Sequence, residues 1–131
     1  MMNVNHIGYA VKKLENAIKS FMALGYEFGD IINDHERNIK VSFGEKDGYR
    51  IELVCPLDVS KESPVDNYLC NVRATPYHIC YETHCFDNDV ENLEKDGYKI
   101  IIAPAPSIAF QGRRVVFMMS LSIGLVEIVE K

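Results

Sequence analysis

Residues 5–32, NHIGYAVKKLENAIKSFMALGYEFGDII, lie over residues 77–104, YHICYETHCFDNDVENLEKDGYKIIIAP, without a gap at an offset of 72. His6 falls on His78, Ile7 on Ile79 and Tyr9 on Tyr81. Further along, Asn16 falls on Asn88, Gly25 on Gly97 and Tyr26 on Tyr98. The ends of the two halves match as well. YRIELV (49–54) and GLVEIV (124–129) place Glu52 over Glu127 at an offset of 75, so a three-residue insertion lies in the loops between. Self-similarity at a fixed spacing marks one structural unit used twice.

The pattern within a half names the unit. Residues 3–11 alternate and predict a strand. Residues 13–24 put Leu14, Ala17, Ile18, Phe21 and Leu24 on one helical stripe, and Gly25 follows as a C-terminal stop. Extended segments are expected near 26–33, 38–44 and 49–55, with the charged GEKDGY (44–49) turning the chain between the last two. The second half repeats the order: a strand over 76–83, a helix over 87–96 ended by Gly97, and strands near 98–103, 113–119 and 123–129. The expected class is therefore α+β, two tandem βαβββ modules in a single domain spanning residues 1–131. Module 1 covers about 3–56 and module 2 about 75–131. The connector, 57–74, carries Ser63-Pro64, read as an N-cap and first helical residue of a short helix over 64–70.

Bulk properties exclude some roles. The 131 residues are 47% apolar and 25% charged, the balance of a globular protein. No apolar run approaches the ~20 residues that span a bilayer. The opening MMNVNHIGYAVKK lacks the basic-then-apolar order of a secretory signal. A net charge of -5 argues against a nucleic-acid surface. Cys55, Cys70, Cys80 and Cys85 form no C-x-x-C pair, which suits reduced packing residues in a cytoplasmic protein. His84-Cys85 could chelate a metal together only from a turn, because neighbours on a strand face opposite ways.

Strand alternation then selects four polar residues. His6 shares a face with Gly8 and Ala10, while Ile7, Tyr9 and Val11 occupy the face that packs under the helix. His78 shares a face with Cys80. Glu52 stands opposite to Ile51 and Leu53, and Glu127 opposite to Val126 and Ile128. Unpaired buried carboxylates are costly, and two on one surface repel. Two imidazoles and two carboxylates are neutralised most simply by a borderline divalent ion such as Zn²⁺, Ni²⁺, Co²⁺, Mn²⁺ or Fe²⁺. The alternative is two separate His–Glu hydrogen bonds. Other features stay open at this level. One of Arg113 and Arg114 meets an anionic group or both are solvated; Ser63 caps a helix or holds an anion; PAPSIAFQG (104–112) is a closing loop or a rigid connection; His35 belongs to a surface turn.

At these residues the chain resembles the vicinal oxygen chelate superfamily, the glyoxalase/bleomycin-resistance/dioxygenase fold. Within it, HIGYAVKKLENAI, IELVCPLDVSKESPVDNYL, YHICYE and GRRVVFMMSLSIGLVEIVE are similar to the methylmalonyl-CoA epimerases. The resemblance implies an open, cupped mixed sheet with helices on its outer face, a divalent metal, and His6, Glu52, His78 and Glu127 as ligands. It implies an isomerase that removes a proton next to a carbonyl, with Glu127 as catalytic base and Glu52 as its counterpart. The implied partners are a small acyl-thioester substrate and, for a cupped sheet that completes itself across a two-fold axis, a second copy of the chain. A Glu at position 52, where such epimerases can carry Gln, is similar instead to glyoxalase I and a glutathione-adduct substrate. SLSIG (120–124) departs from the glyoxalase pattern before the last ligand. Antibiotic-binding relatives without catalysis tend to lose these ligands, and ring-cleaving dioxygenases leave positions open around Fe²⁺ that a fourth protein ligand would fill.

Overall fold

In the computed structural model, which describes residues 1–131, nine strands form a mixed sheet with three helices. In chain order they are β1 (Asn3–Val11), α1 (Leu14–Met22), β2 (Glu27–Phe28), β3 (Ile32–Asp34), β4 (Ile39–Lys46) and β5 (Tyr49–Pro56). After these come α2 (Asp66–Leu69), β6 (Ala74–Thr83), α3 (Phe86–Lys95), β7 (Lys99–Pro106), a 3-10 turn at Ile108–Phe110, β8 (Arg114–Ser120) and β9 (Gly124–Glu130). The class is α+β, and the element order of the first half returns in the second. No helix is long and apolar enough to cross a membrane.

The chain forms two compact units, residues 7–77 and residues 1–6 with 78–131. In the first, the hydrogen-bonded order is β2-β4-β5-β1, with β3 also on β4. β1 runs parallel to β5, pairing Ile7 with Ile51 and Gly8 with Glu52. β4 and β5 form an antiparallel hairpin. Its turn is only Asp47-Gly48, both left-handed at φ 53° and 84°, the backbone that two-residue hairpin loops demand. The segment expected as one strand over 26–33 is two. β2 pairs Phe28 with Gly44 and β3 pairs Ile32 with Val41, so the register on β4 slips by one residue between them.

In the second unit the order is β6-β9-β8-β7, with the first residues of β1 beside β6. β6 runs parallel to β9, pairing Ile79 with Val126 and Cys80 with Glu127. The remaining pairs are antiparallel. The two long helices, α1 and α3, each run into a glycine. Gly25 and Gly97 take φ 99° and 97°, and the next residue closes back five positions: Tyr26 N–H donates to Phe21 O, Tyr98 N–H to Leu93 O. That closure satisfies carbonyls the helix leaves open, and it is why the helices stop short of the apolar stripe's last residues.

Each unit has its own core on the face away from the histidines. Val11, Leu14, Ile51, Leu53 and Cys55 pack together, with Tyr9, Ala17, Ile18 and Phe21 against them. Phe86, Val90, Val116, Met118, Val126 and Ile128 do the same in the second unit. Burying each such side chain contributes roughly 1.5–3 kcal/mol. The connector is pinned by Asn38, itself left-handed at φ 52°. Its amide donates to the carbonyls of Asp58, Lys61 and Glu62 and accepts from Asp58 N–H. Ser63 is not an N-cap. Its hydroxyl has no partner, and the Asp66 carboxylate accepts from Ser63 N–H instead.

Candidate metal centre

Parallel pairing sets the site. In each module the glutamate sits opposite the residue two places beyond the histidine: Glu52 opposite Gly8, Glu127 opposite Cys80. Side chains two apart on a strand share a face, so each module turns one imidazole and one carboxylate the same way. The small Gly8 and Cys80 leave that space open. His6, Glu52, His78 and Glu127 are all buried, Glu52 within the first unit and the other three within the second.

In the second unit three of the four meet. Glu127 Oε2 lies 2.8 Å from His78 Nε2 and 3.4 Å from His6 Nε2. The two Nε2 atoms are 3.3 Å apart. Both imidazoles therefore reach one carboxylate oxygen. Burial alone would push the Glu127 carboxyl up, but the His6 and His78 imidazoles beside it hold it down at about 2. It is a carboxylate in the folded protein, buried with no lysine or arginine paired to it.

This donor set fits a metal. Two imidazole nitrogens and a carboxylate oxygen are the ligands of borderline divalent ions. Ligands about 2.1 Å from a shared ion at tetrahedral or octahedral angles lie about 3.0–3.4 Å apart, and two of the three separations match. The third, 2.8 Å between His78 and Glu127, is a closer approach that an ion between them would widen. His6, His78 and Glu127 are the residues that would hold it from this unit.

The surroundings hold the rings still. Phe110 stacks on His6 with centroids 5.7 Å apart and planes 17° from parallel, and Phe117 meets His78 edge-on at 5.3 Å. Phe117 lies opposite Glu127 in the β8–β9 register. Sequence reading passes over both, since a Phe in an apolar segment carries no sign of what it packs against. Phe110 also answers the question of loop 104–112. β7 continues to Pro106, and Ser107 O then accepts from both Phe110 and Gly112 N–H. The segment closes on itself and buries Phe110, so it is a fixed wall beside His6.

The remaining candidates lie elsewhere. Arg113 donates to the carbonyls of Phe110 and Glu130. Arg114 grips Asp87 with two nitrogens and Glu130 with two, over the ring of Phe86. Both guanidiniums are engaged in holding β8. His84 and Cys85 are exposed in the turn before α3, and His35 is exposed in the turn after β3.

Comparisons with known proteins agree with this architecture. No curated protein matches the chain in sequence. Among solved structures, a hypothetical protein from Bacillus halodurans C-125 superposes with a TM-score of 0.86 at 23% identity, over 99% of this chain and 94% of that one. Methylmalonyl-CoA epimerase from Mycobacterium tuberculosis gives 0.82 at 22% identity, over 97% and 86%. A Streptomyces coelicolor methylmalonyl-CoA epimerase variant in complex with 2-nitronate-propionyl-CoA gives 0.82 at 21% identity, over 100% and 95%. At these identities the likeness is one of fold. The model of one family matches residues 5–117, most of the duplicated unit and three of the four buried candidates. The chain belongs to the glyoxalase/bleomycin resistance protein/dioxygenase superfamily.

Proposed function

We propose that the protein is a divalent-metal-dependent isomerase that removes a proton α to a carbonyl, acting on an acyl thioester of the methylmalonyl-CoA kind. The observation that carries the reading is the buried meeting of His6, His78 and Glu127 at one point. Glu52, buried and turned the same way in its own module, is proposed as the fourth ligand. An ion held by these residues supplies a Lewis acid for the substrate's carbonyl oxygen and so lowers the cost of the enolate. Glu127 takes the proton from one face, its base form favoured by the imidazoles beside it, and Glu52 serves the opposite face. The rings of Phe110 and Phe117 keep water from the histidines and hold their orientation.

The similarity to epimerase structures, one bound to an acyl-CoA analogue, supports the thioester as substrate class. A second reading has its own support. A carboxylate at position 52 favours a glyoxalase I-like lyase acting on a glutathione adduct.

The experiment is α-proton exchange. The metal-loaded protein is expected to wash deuterium from D₂O into the α-carbon of a methylmalonyl-type thioester. Chelation should stop the exchange, and Glu127→Ala should abolish it and weaken metal binding. Full exchange in Glu127→Ala would overturn the assignment, and turnover of a glutathione hemithioacetal without thioester exchange would select the second reading.

A further inference from the structure

We infer that Asn5 is a positioning residue that fixes which nitrogen of His6 carries the hydrogen, so that Nε2 faces the buried cluster without one when the ring is neutral. The inference deepens the proposed metal site and rests on that reading only for its consequence; the tautomer itself is a property of the metal-free protein.

The argument runs through three side chains of one unit. Asn5 Nδ2 donates to Glu82 Oε2 at 3.1 Å. A carboxylate only accepts, so the amide nitrogen must be the end that faces Glu82. Glu82 is anchored in turn, its other oxygen 3.4 Å from Lys131 Nζ. The amide oxygen of Asn5 then faces His6 Nδ1 at 2.8 Å. That oxygen also only accepts, so the hydrogen sits on His6 Nδ1. When the ring is neutral, Nε2 has none. Nε2 is the atom that points at Glu127 Oε2 and His78 Nε2.

The opposite tautomer would set two lone pairs against each other at the Asn5 contact. It would also place an N–H where a cation's ligand is needed. Fixing a ligand's tautomer through its second nitrogen is how supporting groups tune metal sites, at 10–100-fold in affinity. The device is not duplicated with the modules. At the offset of 72 the position before His78 is Tyr77, which has no amide. Its partner histidine has no such neighbouring amide, and its Nε2 lies 2.8 Å from Glu127 Oε2.

The test is long-range ¹⁵N–¹H NMR of the metal-free protein at a pH where its imidazoles are neutral. Wild-type His6 is expected wholly as the Nδ1–H form. Asn5→Leu should shift it toward Nε2–H and weaken Zn²⁺ or Co²⁺ binding, read by calorimetry, about 10–100-fold. The double variant Asn5→Asp with Glu82→Gln keeps an acceptor at position 5 and moves the donor to position 82. It should restore the wild-type tautomer and bring affinity back to within about 3-fold. Nε2–H or a mixture in the wild type, or an unchanged tautomer in a folded Asn5→Leu, would overturn the inference. A wild-type protein that binds no metal while showing Nδ1–H would defeat the metal reading and leave the role of Asn5 standing.

Discussion

Gly44 shows how much one missing side chain matters. A Cβ there would lie 2.5 Å from the ring of Phe28, which pairs with it across β2 and β4. The ring is itself packed toward Phe21 and Tyr26. Gly44→Ala should therefore destabilise by about 1–3 kcal/mol, the usual cost of overpacking, as measured by urea unfolding. Asn38 is the polar counterpart. One amide satisfies three carbonyls and one N–H of the connector from a left-handed backbone. Asn38→Ala loses the partners and the tolerated conformation together. It should cost about 1–3 kcal/mol, with amide exchange rising at Asp58. Asn38 was not legible in the sequence, because its partners are carbonyls some twenty residues away that no side chain announces.

At the scale of elements, the two helices lie on cores that the apolar stripes foretold. Leu53 is fully buried at the centre of the first, and Leu53→Ala should cost about 2–5 kcal/mol. The clamp of Arg114 on α3 and β9 is different in kind. Hydrogen bonds from Arg114 hold both the Asp87 and Glu130 carboxyls below their ordinary range. A depressed carboxylate contributes stability above its unfolded value and loses it as pH falls through the folded one. All three groups are solvent-screened, so the effect is small. Arg114→Met is expected to be slightly less stable than wild type at neutral pH, and the difference should vanish on acidification through the carboxylate range, read from paired denaturation curves. The element boundaries that differed from expectation share one cause. The slip between β2 and β3 and the early helix ends are backbone hydrogen-bond events, set by partners that alternation does not reveal.

At the scale of the whole molecule, a buried ligand set ties metal uptake to folding. If His6, His78 and Glu127 bind an ion, the folded state gains RT ln(1 + [L]/Kd), about 2.7 kcal/mol at a hundredfold excess over Kd. For a chain of this size the melting temperature should rise on the order of 10 °C with Zn²⁺ or Co²⁺ and fall back on chelation. Uptake should weaken in acid, because protons compete with the ion for imidazole and carboxylate. Scanning calorimetry at two pH values with and without chelator checks both signs. No metal-dependent shift at any pH would remove the foundation of the isomerase reading.

The duplication was legible from residues 5–32 and 77–104 alone, and with it the α+β order and the pairing of one histidine and one glutamate with each apolar strand. Periodicity carries that information because a strand's two faces alternate residue by residue. The sequence by itself did not determine that His6 meets His78 and Glu127 within one unit. Nor did it place Phe110 on the ring of His6, or orient Asn5 between Glu82 and His6 Nδ1. Apart from that of Asn5 with its neighbour His6, those contacts join residues 72 to 121 positions apart, and only the folded chain, with β1 beside β6 and β6 beside β9, brings them together.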